Sequence, residues 1–295
     1  MPCFGAVEAG GTKFSCILGS GPDHILSECT ILTTTPDETL SQVIEFFTKT
    51  TEPISAIGIG SFGPVELDQS SRLFGHITNT PKPGWQNADL VGTIGRALKV
   101  PIFFETDTNV AGLAERKWGN AQSLDYVLYV TVGTGIGGGF IINGKPLHGL
   151  LHPEMGHMRI PHDREQDPFL GACPFHGDCL EGLASGPAIH KRWGTPGEFL
   201  PSDHPAWTLE ALYLATGLVN LICALSPQRI ILGGGVMRQR ELYDEIRIKM
   251  KDLANRYFGH AQFEDKISEY VVPPKLGSKA GVLGALALAE AGVSV

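Results

Sequence analysis

The spacing of hydrophobic residues predicts that strands and helices alternate along the chain. Short apolar runs that end at glycine or proline are typical of buried strands, whereas apolar residues with a period near 3.6 indicate amphipathic helices. The patterns predict strands at residues 4–9, 14–18, 54–60, 100–105, 126–132, 140–142 and 229–232. They predict helices at residues 35–50, 89–98, 110–118, 208–225 and 281–291, and a further helix that ends at Trp193. This alternation predicts an α/β protein.

One local pattern occurs twice. A strand, a turn of glycine and threonine, and a second strand come first at Gly10-Gly11-Thr12-Lys13 and again at Gly133-Thr134-Gly135, where the glycines continue through Gly139. An internal repeat indicates two related units. We therefore expect two lobes that face each other, residues 1–118 and 119–295, and we expect the small-residue helix at 281–291 to pack back on the N-terminal lobe.

Both glycine turns are candidate phosphate sites. Glycine leaves backbone N–H groups uncovered, so a turn of this kind can hold phosphate oxygens, and Thr12 and Lys13 add a hydroxyl and a charge. Most Gly-Gly turns only reverse the chain, but two of them on opposed lobes favour a nucleotide. The chain lacks the Gly-Lys-Ser/Thr of a Walker loop, and its glycines return to a strand and do not open a helix as in a Rossmann fingerprint.

A third glycine cluster follows the strand at 229–232. Gly233, Gly234 and Gly235 would let a flat group such as adenine approach the backbone, although a plain strand-to-helix turn explains them equally well. The predicted nucleotide site also includes Val236, Met237 and, at the start of the helix that ends at Trp193, Pro187.

Two further candidates lie where strands end. Gly63 lies in the corner Ser61-Phe62-Gly63-Pro64, at the end of a strand where α/β sheets place ligand contacts. Asp107 lies between the strand at 100–105 and the next helix. Asp107 or Thr108 could merely cap that helix, or Asp107 could be a catalytic base at the mouth of the sheet. The residues alone leave both readings open.

A metal site is predicted between residues 157 and 179. Cys173, His176 and Cys179 are three residues apart in a loop broken by proline and glycine, and His157 supplies a fourth donor. Two thiols in a loop and a histidine on a strand have ordinary explanations singly, but a Cys2His2 set suits tetrahedral, structural zinc. The carboxylates of Glu154 and Glu181 flank the ligands and could accept hydrogen bonds from a sugar.

Composition narrows the class of protein. The 295 residues are 42% hydrophobic and 18% charged, as in a globular protein, and the net charge of −8 argues against nucleic acid as the partner. No signal peptide and no apolar stretch of about 18 residues is evident, so no membrane partner is expected. With two of six cysteines assigned to a metal, we expect a reducing, cytoplasmic location and interpret Cys3, Cys16, Cys29 and Cys223 as buried thiols.

With these motifs in hand, the sequence resembles the ROK family of repressors, open reading frames and kinases, and within it the bacterial fructokinases. The resemblance covers nearly the whole chain. It rests on the hairpin at Gly10 to Lys13, the junction at Asp107 to Asn109, the glycine run at Gly133 to Gly139, the motif at Glu154 to His157, and the run from Cys173 to Pro187.

The resemblance implies an actin-like, ribonuclease-H-like ATPase fold whose two lobes hold a ligand cleft between them. It implies Asp107 as the base that deprotonates a sugar hydroxyl. It further implies sugar contacts from Glu154, His157 and Glu181, and structural zinc on His157, Cys173, His176 and Cys179. The implied activity is phosphorylation of a hexose by ATP with Mg²⁺, with fructose converted to fructose 6-phosphate, in a homodimer.

Three residues depart from the common family pattern. Glu8 stands where many members have Asp, and Thr106 stands where glucose and amino-sugar kinases often carry Asn. Both favour fructose over glucose. His176 replaces a cysteine, and an imidazole is still a competent zinc ligand.

The alternatives are a glucose, mannose or N-acetylmannosamine kinase of the same family and, more remotely, a non-catalytic sugar-binding regulator. A repressor would need a helix-turn-helix before the first strand, which starts at Phe4.

Overall fold

The computed structural model describes residues 2–293, which form two units. The first unit contains the chain up to Ser123, the segment Gly144–His152 and the chain from Lys275 onward; the second contains Leu124–Asn143 and Pro153–Pro274. The lobe limits predicted from the sequence stay a prediction. The contacts assign both the segment Gly144–His152 and the last helix to the first unit.

The helices and strands follow each other in the expected alternation. Up to residue 118 the chain forms β1 (Cys3–Ala9), β2 (Lys13–Gly21), β3 (His24–Leu32), α1 (Pro36–Thr48), β4 (Ile54–Ser61), α2 (Leu90–Leu98), β5 (Ile102–Thr106) and α3 (Asp107–Trp118). It continues with β6 (Tyr126–Val132), β7 (Ile136–Ile142), β8 (Lys145–Pro146), α4 (Leu180–Ala184), α5 (Gly186–Trp193), α6 (Ala206–Leu225), β9 (Arg229–Gly233), α7 (Glu241–Ala254), α8 (Ala261–Glu264), α9 (Ile267–Tyr270), β10 (Val271–Val272) and α10 (Ala280–Val293).

The sheet of the first unit has the strand order β3-β2-β1-β4-β5. β1 is antiparallel to β2 and parallel to β4, which is parallel to β5. Alternate residues of β1 enter two different cores: Val7 and Ala9 pack with α1 and α2, whereas Phe4 and Ala6 pack with α10. Since successive side chains of a strand point to opposite faces, the apolar run from Cys3 to Val7 at the start of β1 is typical of a strand buried on both sides.

The register brings three strand ends to one edge of this sheet. Ala9 lies opposite Ser61, and Ser61 lies opposite Thr106. The glycine hairpin after β1, the corner that contains Gly63 and the junction at Asp107 therefore follow the carboxyl ends of adjacent strands. This is the edge at which α/β sheets bind ligands.

The second unit repeats the arrangement of the first. Its strands have the order β10-β9-β6-β7, with β6 antiparallel to β7 and parallel to β9, as β1 is to β2 and β4. Thr131 lies opposite Gly233, so the Gly133 turn and the Gly233–Gly235 cluster also follow neighbouring strand ends. The internal repeat read from the sequence is thus present in the topology.

The helix α10 packs closely against the strands and α3 of its unit. A Cβ atom at Gly58 would collide with the backbone carbonyl of Ala285, and one at Gly284 would collide with that of Val110. Small residues at these positions allow the backbones to approach, which explains the glycines and alanines of the last helix.

Several local predictions were wrong. Gly137–Gly139 are not turn residues but lie within β7, where they pair with β6. The side chain of Met155 explains the glycine at position 138, because a Cβ there would collide with it. The helix α7 and the polar strand β3 were missed. Cys223 is exposed and Cys29 half-buried, so these two thiols are not core residues.

The expectation that no segment is long and apolar enough to cross a bilayer was also wrong. By length and composition α6 qualifies, with a mean hydropathy of 1.6 in its most apolar window. Half of that window is buried within the protein. This is the pattern of a core helix, and residues such as Trp207, Leu214 and Leu218 supply its buried face.

Candidate active site

Asp107 is the first residue of α3 and does not cap it. The helix is capped by Thr106, whose hydroxyl oxygen accepts a hydrogen bond from the N–H of Asn109 at 3.2 Å. One oxygen of Asp107 accepts from the N–H of Thr108 at 2.7 Å. The capping role that we considered for Asp107 or Thr108 thus belongs to Thr106. Because the cap is already supplied, the carboxyl group of Asp107 is not needed for it.

Burial changes the acidity of this carboxyl group. Removal from water raises the pKa of Asp107 to about 6, against a smaller lowering by the backbone N–H groups of Thr108 and of Asp107 itself. A carboxyl group with a pKa just below neutral pH is mostly ionised at neutral pH, and it accepts a proton more readily than an ordinary aspartate does. This is the property of a general base.

Glu8 is a second perturbed carboxyl group in the same unit. Burial is the main cause that raises the pKa of Glu8 to about 7; the negative charge of Asp107 raises it further, while Lys13 and a hydrogen bond from the N–H of Val282 lower it. Strongly perturbed acids are concentrated at functional sites. Two of them close together at a sheet edge mark this edge as the candidate active site of the first unit.

The sequence analysis missed a buried carboxylate beside Asp107. Glu105 is 3% exposed, and its Oε1 accepts hydrogen bonds from the N–H of Thr106 at 2.7 Å and from the amide of Asn109 at 2.8 Å. Its Oε2 lies 2.8 Å from Nε2 of His148. Nothing in the local pattern indicated this pair, because its two members are far apart in the sequence.

Gly63 lies beside another histidine that was missed. Nε2 of His152 accepts a hydrogen bond from the N–H of Val65 at 3.2 Å. A Cβ atom at Gly63 would lie 3.6 Å from the same imidazole ring. The corner after β4 is therefore shaped around His152, which is 9% exposed.

The first glycine turn is a tight hairpin with open space beside it. The N–H of Gly10 donates to the carbonyl of Lys13 at 3.0 Å, and Thr33 anchors the turn by donating from its hydroxyl to the carbonyl of Gly10 at 2.7 Å. A Cβ at Gly11 would meet no atom within 4 Å. The space over Gly11 and the exposed Thr12 and Lys13 leave room for a phosphate group.

The second glycine turn is held by Glu181 and by the start of α5. Oε2 of Glu181 accepts from the N–H of Ile136 at 2.9 Å, and the N–H of Gly186 donates to the carbonyl of Gly133 at 2.8 Å. A Cβ at Gly135 would lie 2.6 Å from Glu181. The turn thus brings Glu181 and, one residue after Gly186, Pro187 beside Gly133–Gly135.

The third cluster lies next to the second turn. Gly234 has a φ of +99°, and a Cβ there would collide with the backbone of Val132, so only glycine fits. Gly234 and Gly235 are exposed, whereas the side chain of Met237 is 5% exposed and belongs to the core. Backbone atoms, and not the Met237 side chain, are what this cluster presents to a ligand.

The four predicted metal ligands converge. The donor atoms of His157, Cys173, His176 and Cys179 all lie within 4.8 Å of one another. Nδ1 of His157 is 3.7 Å from each sulfur, and Nδ1 of His176 is 3.7 Å from Sγ of Cys173. Zn–S and Zn–N bonds of about 2.3 and 2.0 Å in a tetrahedron separate S and N by about 3.5 Å, so the donor set fits a metal of this kind.

The loop that carries these ligands folds around glycines. Cys173 and Gly177 exchange two backbone hydrogen bonds of 3.2 and 3.0 Å, and Gly177 has a φ of +65°. A Cβ at Gly182 would collide with the carbonyl of Gly177. The resulting tight knuckle turns Cys173 and His176 toward one point.

Charged side chains also support the loop. Asp178 pairs with Arg159, with Arg164 at 2.7 Å and with His162 at 3.3 Å. The hydrogen bonds from Arg164 and then His162 are the main causes that lower the pKa of Asp178 to about 2. Asp167 accepts from Tyr213 at 2.6 Å and from Arg192 at 3.2 Å.

Comparison with known proteins identifies the family. The sequence profile of the ROK family matches residues 4–291. The chain is 46% identical to a fructokinase of Zymomonas mobilis over 98% of this chain and 96% of that protein. It is 42% identical to a fructokinase of Pediococcus pentosaceus over 97% of both chains.

The chain belongs to the ROK family.

A solved ROK structure agrees in fold. The ROK family glucokinase of Streptomyces griseus, determined in complex with glucose and AMPPNP, superimposes with a TM-score of 0.77 at 26% identity and covers 98% of this chain and 99% of that one. Together with the two similar mixed sheets, this confirms the actin-like ATPase fold that the resemblance implied.

Thr106 is committed to a structural contact. Thr106 is 7% exposed, and its hydroxyl caps α3. The oxygen of this hydroxyl accepts from the N–H of Asn109, and it also lies 3.4 Å from the hydroxyl oxygen of Thr108.

Proposed function

We propose that this chain is an ATP-dependent fructokinase that converts D-fructose to fructose 6-phosphate. The similarity to fructokinases at more than 40% identity over nearly the full chain supports this substrate. The observation that carries the chemistry is the Asp107 carboxyl group, raised in pKa, at the sheet edge shared with the Gly10–Lys13 hairpin.

In the proposed reaction Asp107 takes the proton of the 6-hydroxyl. The hydroxyl oxygen then bonds to the γ-phosphorus of ATP, and the bond from that phosphorus to the bridging oxygen breaks, so that ADP leaves. Phosphoryl transfer depends mainly on positioning and on neutralisation of charge. A general base contributes roughly 10²- to 10⁴-fold.

The remaining binding roles are assigned from the position of each residue relative to the glycine turns and the candidate metal ligands. We assign the phosphates to the backbone N–H groups of the two glycine turns with Thr12, Lys13 and Thr134, and the adenosine to Pro187 and to Gly233–Met237. We assign the other sugar hydroxyls to Gly63, Glu154, His157 and Glu181. Nδ1 of His157 faces the two thiols, which leaves Nε2 for a hydroxyl.

Two metals belong to this proposal. Zinc on His157, Cys173, His176 and Cys179 would be structural, because four protein donors leave no position for water. Mg²⁺ would accompany ATP and neutralise phosphate charge. Glu8 would offer it a carboxylate oxygen, the kind of donor that Mg²⁺ prefers, and Mg²⁺ usually keeps several of its waters.

We further propose a homodimer in the cytoplasm. The reduced thiols of a Cys2His2 site suit a reducing compartment. The alternatives within the family are glucose, mannose and N-acetylmannosamine as substrates.

The test is ADP release by the purified, zinc-loaded chain with ATP, Mg²⁺ and a panel of these hexoses. We expect the highest kcat/KM with fructose, and we expect Asp107→Asn to lower kcat by at least about 10²-fold with its zinc content unchanged. Glu198→Gln, on the surface, serves as the matched control. A preference for another hexose would reassign the substrate, and normal turnover by Asp107→Asn would remove Asp107 as the base.

A further inference from the structure

His148 contacts the buried carboxylate of Glu105, and the proposed mechanism gives this pair no role. It lies in the segment Gly144–His152 of the first unit, with 42% of its side chain exposed, yet its Nε2 is 2.8 Å from a carboxylate oxygen of Glu105, whose side chain is only 4% exposed. A buried carboxylate requires partners, because taking a charge out of water is costly unless it is paired. His148 provides the partner for Oε2.

The other oxygen of Glu105 holds the turn that carries the candidate base. Oε1 accepts from the N–H of Thr106, the residue before Asp107, and from the side-chain amide of Asn109, two residues after it. The amide oxygen of Asn109 is buried and has no hydrogen-bond partner. The hydrogen bond that the amide nitrogen donates to Glu105 therefore orients this side chain. The first turn of α3 is therefore held on both sides of Asp107 by one carboxylate.

Together these contacts form a chain from His148 through Glu105 to the backbone around Asp107. We propose that His148 is a positioning residue for Asp107: by fixing the rotamer of Glu105 it sets the direction in which the Asp107 carboxyl group points. This inference rests on the proposed function, because it assumes that Asp107 is the base.

Two further observations support the pairing of His148 with Glu105 and its positioning role. The hydrogen bond to Glu105 is the main cause that raises the pKa of His148, which favours the protonated ring that donates to Oε2. Four residues later His152 anchors the same segment on Val65. The chain then continues to Glu154 and His157, so the segment that His148 fixes leads directly into the residues assigned to the sugar.

The test compares His148→Ala with His148→Gln by steady-state kinetics with fructose and ATP. Gln places an amide nitrogen near the position of Nε2 and can donate to Glu105. A displacement of a catalytic group by about 1 Å can cost 10²-fold, so we expect His148→Ala to lower kcat about 10- to 100-fold with the KM for ATP unchanged, and His148→Gln to restore most of it. His24→Ala, at an exposed histidine of the same unit, is the matched control.

A double-mutant cycle with Glu105→Gln identifies the route. If His148 acts through Glu105, the losses of kcat in the two single variants do not add in the double variant, because each substitution removes the same interaction. Thermal unfolding checks that the midpoints of the His148 variants stay within a few degrees of the parent. Full kcat in His148→Ala, or equal losses in the Ala and Gln variants, would overturn the positioning role.

The two proposals fail differently. A parent chain that phosphorylates no hexose overturns the fructokinase proposal and this inference with it. An active parent whose His148→Ala variant is equally active overturns only the inference.

Discussion

At the scale of the residue, the environment of Asp107 determines what it can do. Its helix is capped by Thr106, its flanking backbone is held by Glu105, and burial raises its pKa to about 6. Because Thr106 and Glu105 make the contacts that cap and hold the start of α3, the Asp107 carboxyl group is not needed for either. What remains is a carboxylate that can accept a proton near neutral pH.

The pKa of Asp107 predicts the acid side of the rate profile. A base acts only when deprotonated, so kcat/KM for fructose should fall about tenfold per pH unit as the pH drops below about 6. The measurement is kcat/KM from pH 5 to 8, corrected for any unfolding of the chain. The kcat/KM of Glu8→Gln should show the same fall below about pH 6 if Asp107 is the titrating group. A profile that is flat down to pH 5 would contradict the assignment.

At the scale of the element, the loop that carries the candidate metal ligands has two independent supports. The donor atoms of four residues converge on one point, and Asp178 and Asp167 tie the surrounding chain to Arg159, Arg164, Arg192 and Tyr213. We therefore expect loss of the metal to loosen the knuckle while the rest of the second unit keeps its fold.

Removal of zinc tests this expectation. The purified chain should contain one zinc per chain by mass spectrometry, and a chelator should remove both zinc and hexokinase activity while far-ultraviolet circular dichroism changes little. Cys173→Ser should fail to bind zinc, whereas Cys223→Ser, at an exposed cysteine outside the cluster, should bind it normally. A metal-free chain that is as active and as stable as the loaded one would disprove a structural role.

At the scale of the whole molecule, the raised pKa values of Glu8 and Asp107 affect stability. The ionised carboxylates that the proposed function requires lower the stability of the folded chain. Glu8 and Asp107 have pKa values of about 7 and 6 in the folded chain, above the 4.5 and 3.8 of the free groups. Between about pH 4 and 7 the folded chain therefore binds more protons than the unfolded chain does. The contribution of these two groups to the free energy of unfolding falls as the pH rises through that window.

Urea unfolding at pH 5 and pH 8 measures this effect. The neutral side chain of Glu8→Gln or Asp107→Asn avoids the cost of a buried charge, so each variant should be more stable than the parent at pH 8, by about 1 to 3 kcal/mol, and by less at pH 5. Glu198→Gln should change stability equally at both pH values. Loss of stability at pH 8 in both variants would show that the ionised groups are net stabilising.

The sequence by itself determined the repeated strand-turn-strand pattern, the four residues that converge as a possible metal site and the position of Asp107 at a strand end. These features depend on residue type and short spacing, which local patterns record. Only the tertiary structure decided that Thr106 caps α3, that Gly137–Gly139 continue a strand, and that Glu105 is paired with His148. Each of these depends on a contact that forms only in the folded chain. Thr106 accepts from the N–H of Asn109, Gly138 lies against Met155, and Glu105 meets His148, and no period in the sequence reports such contacts.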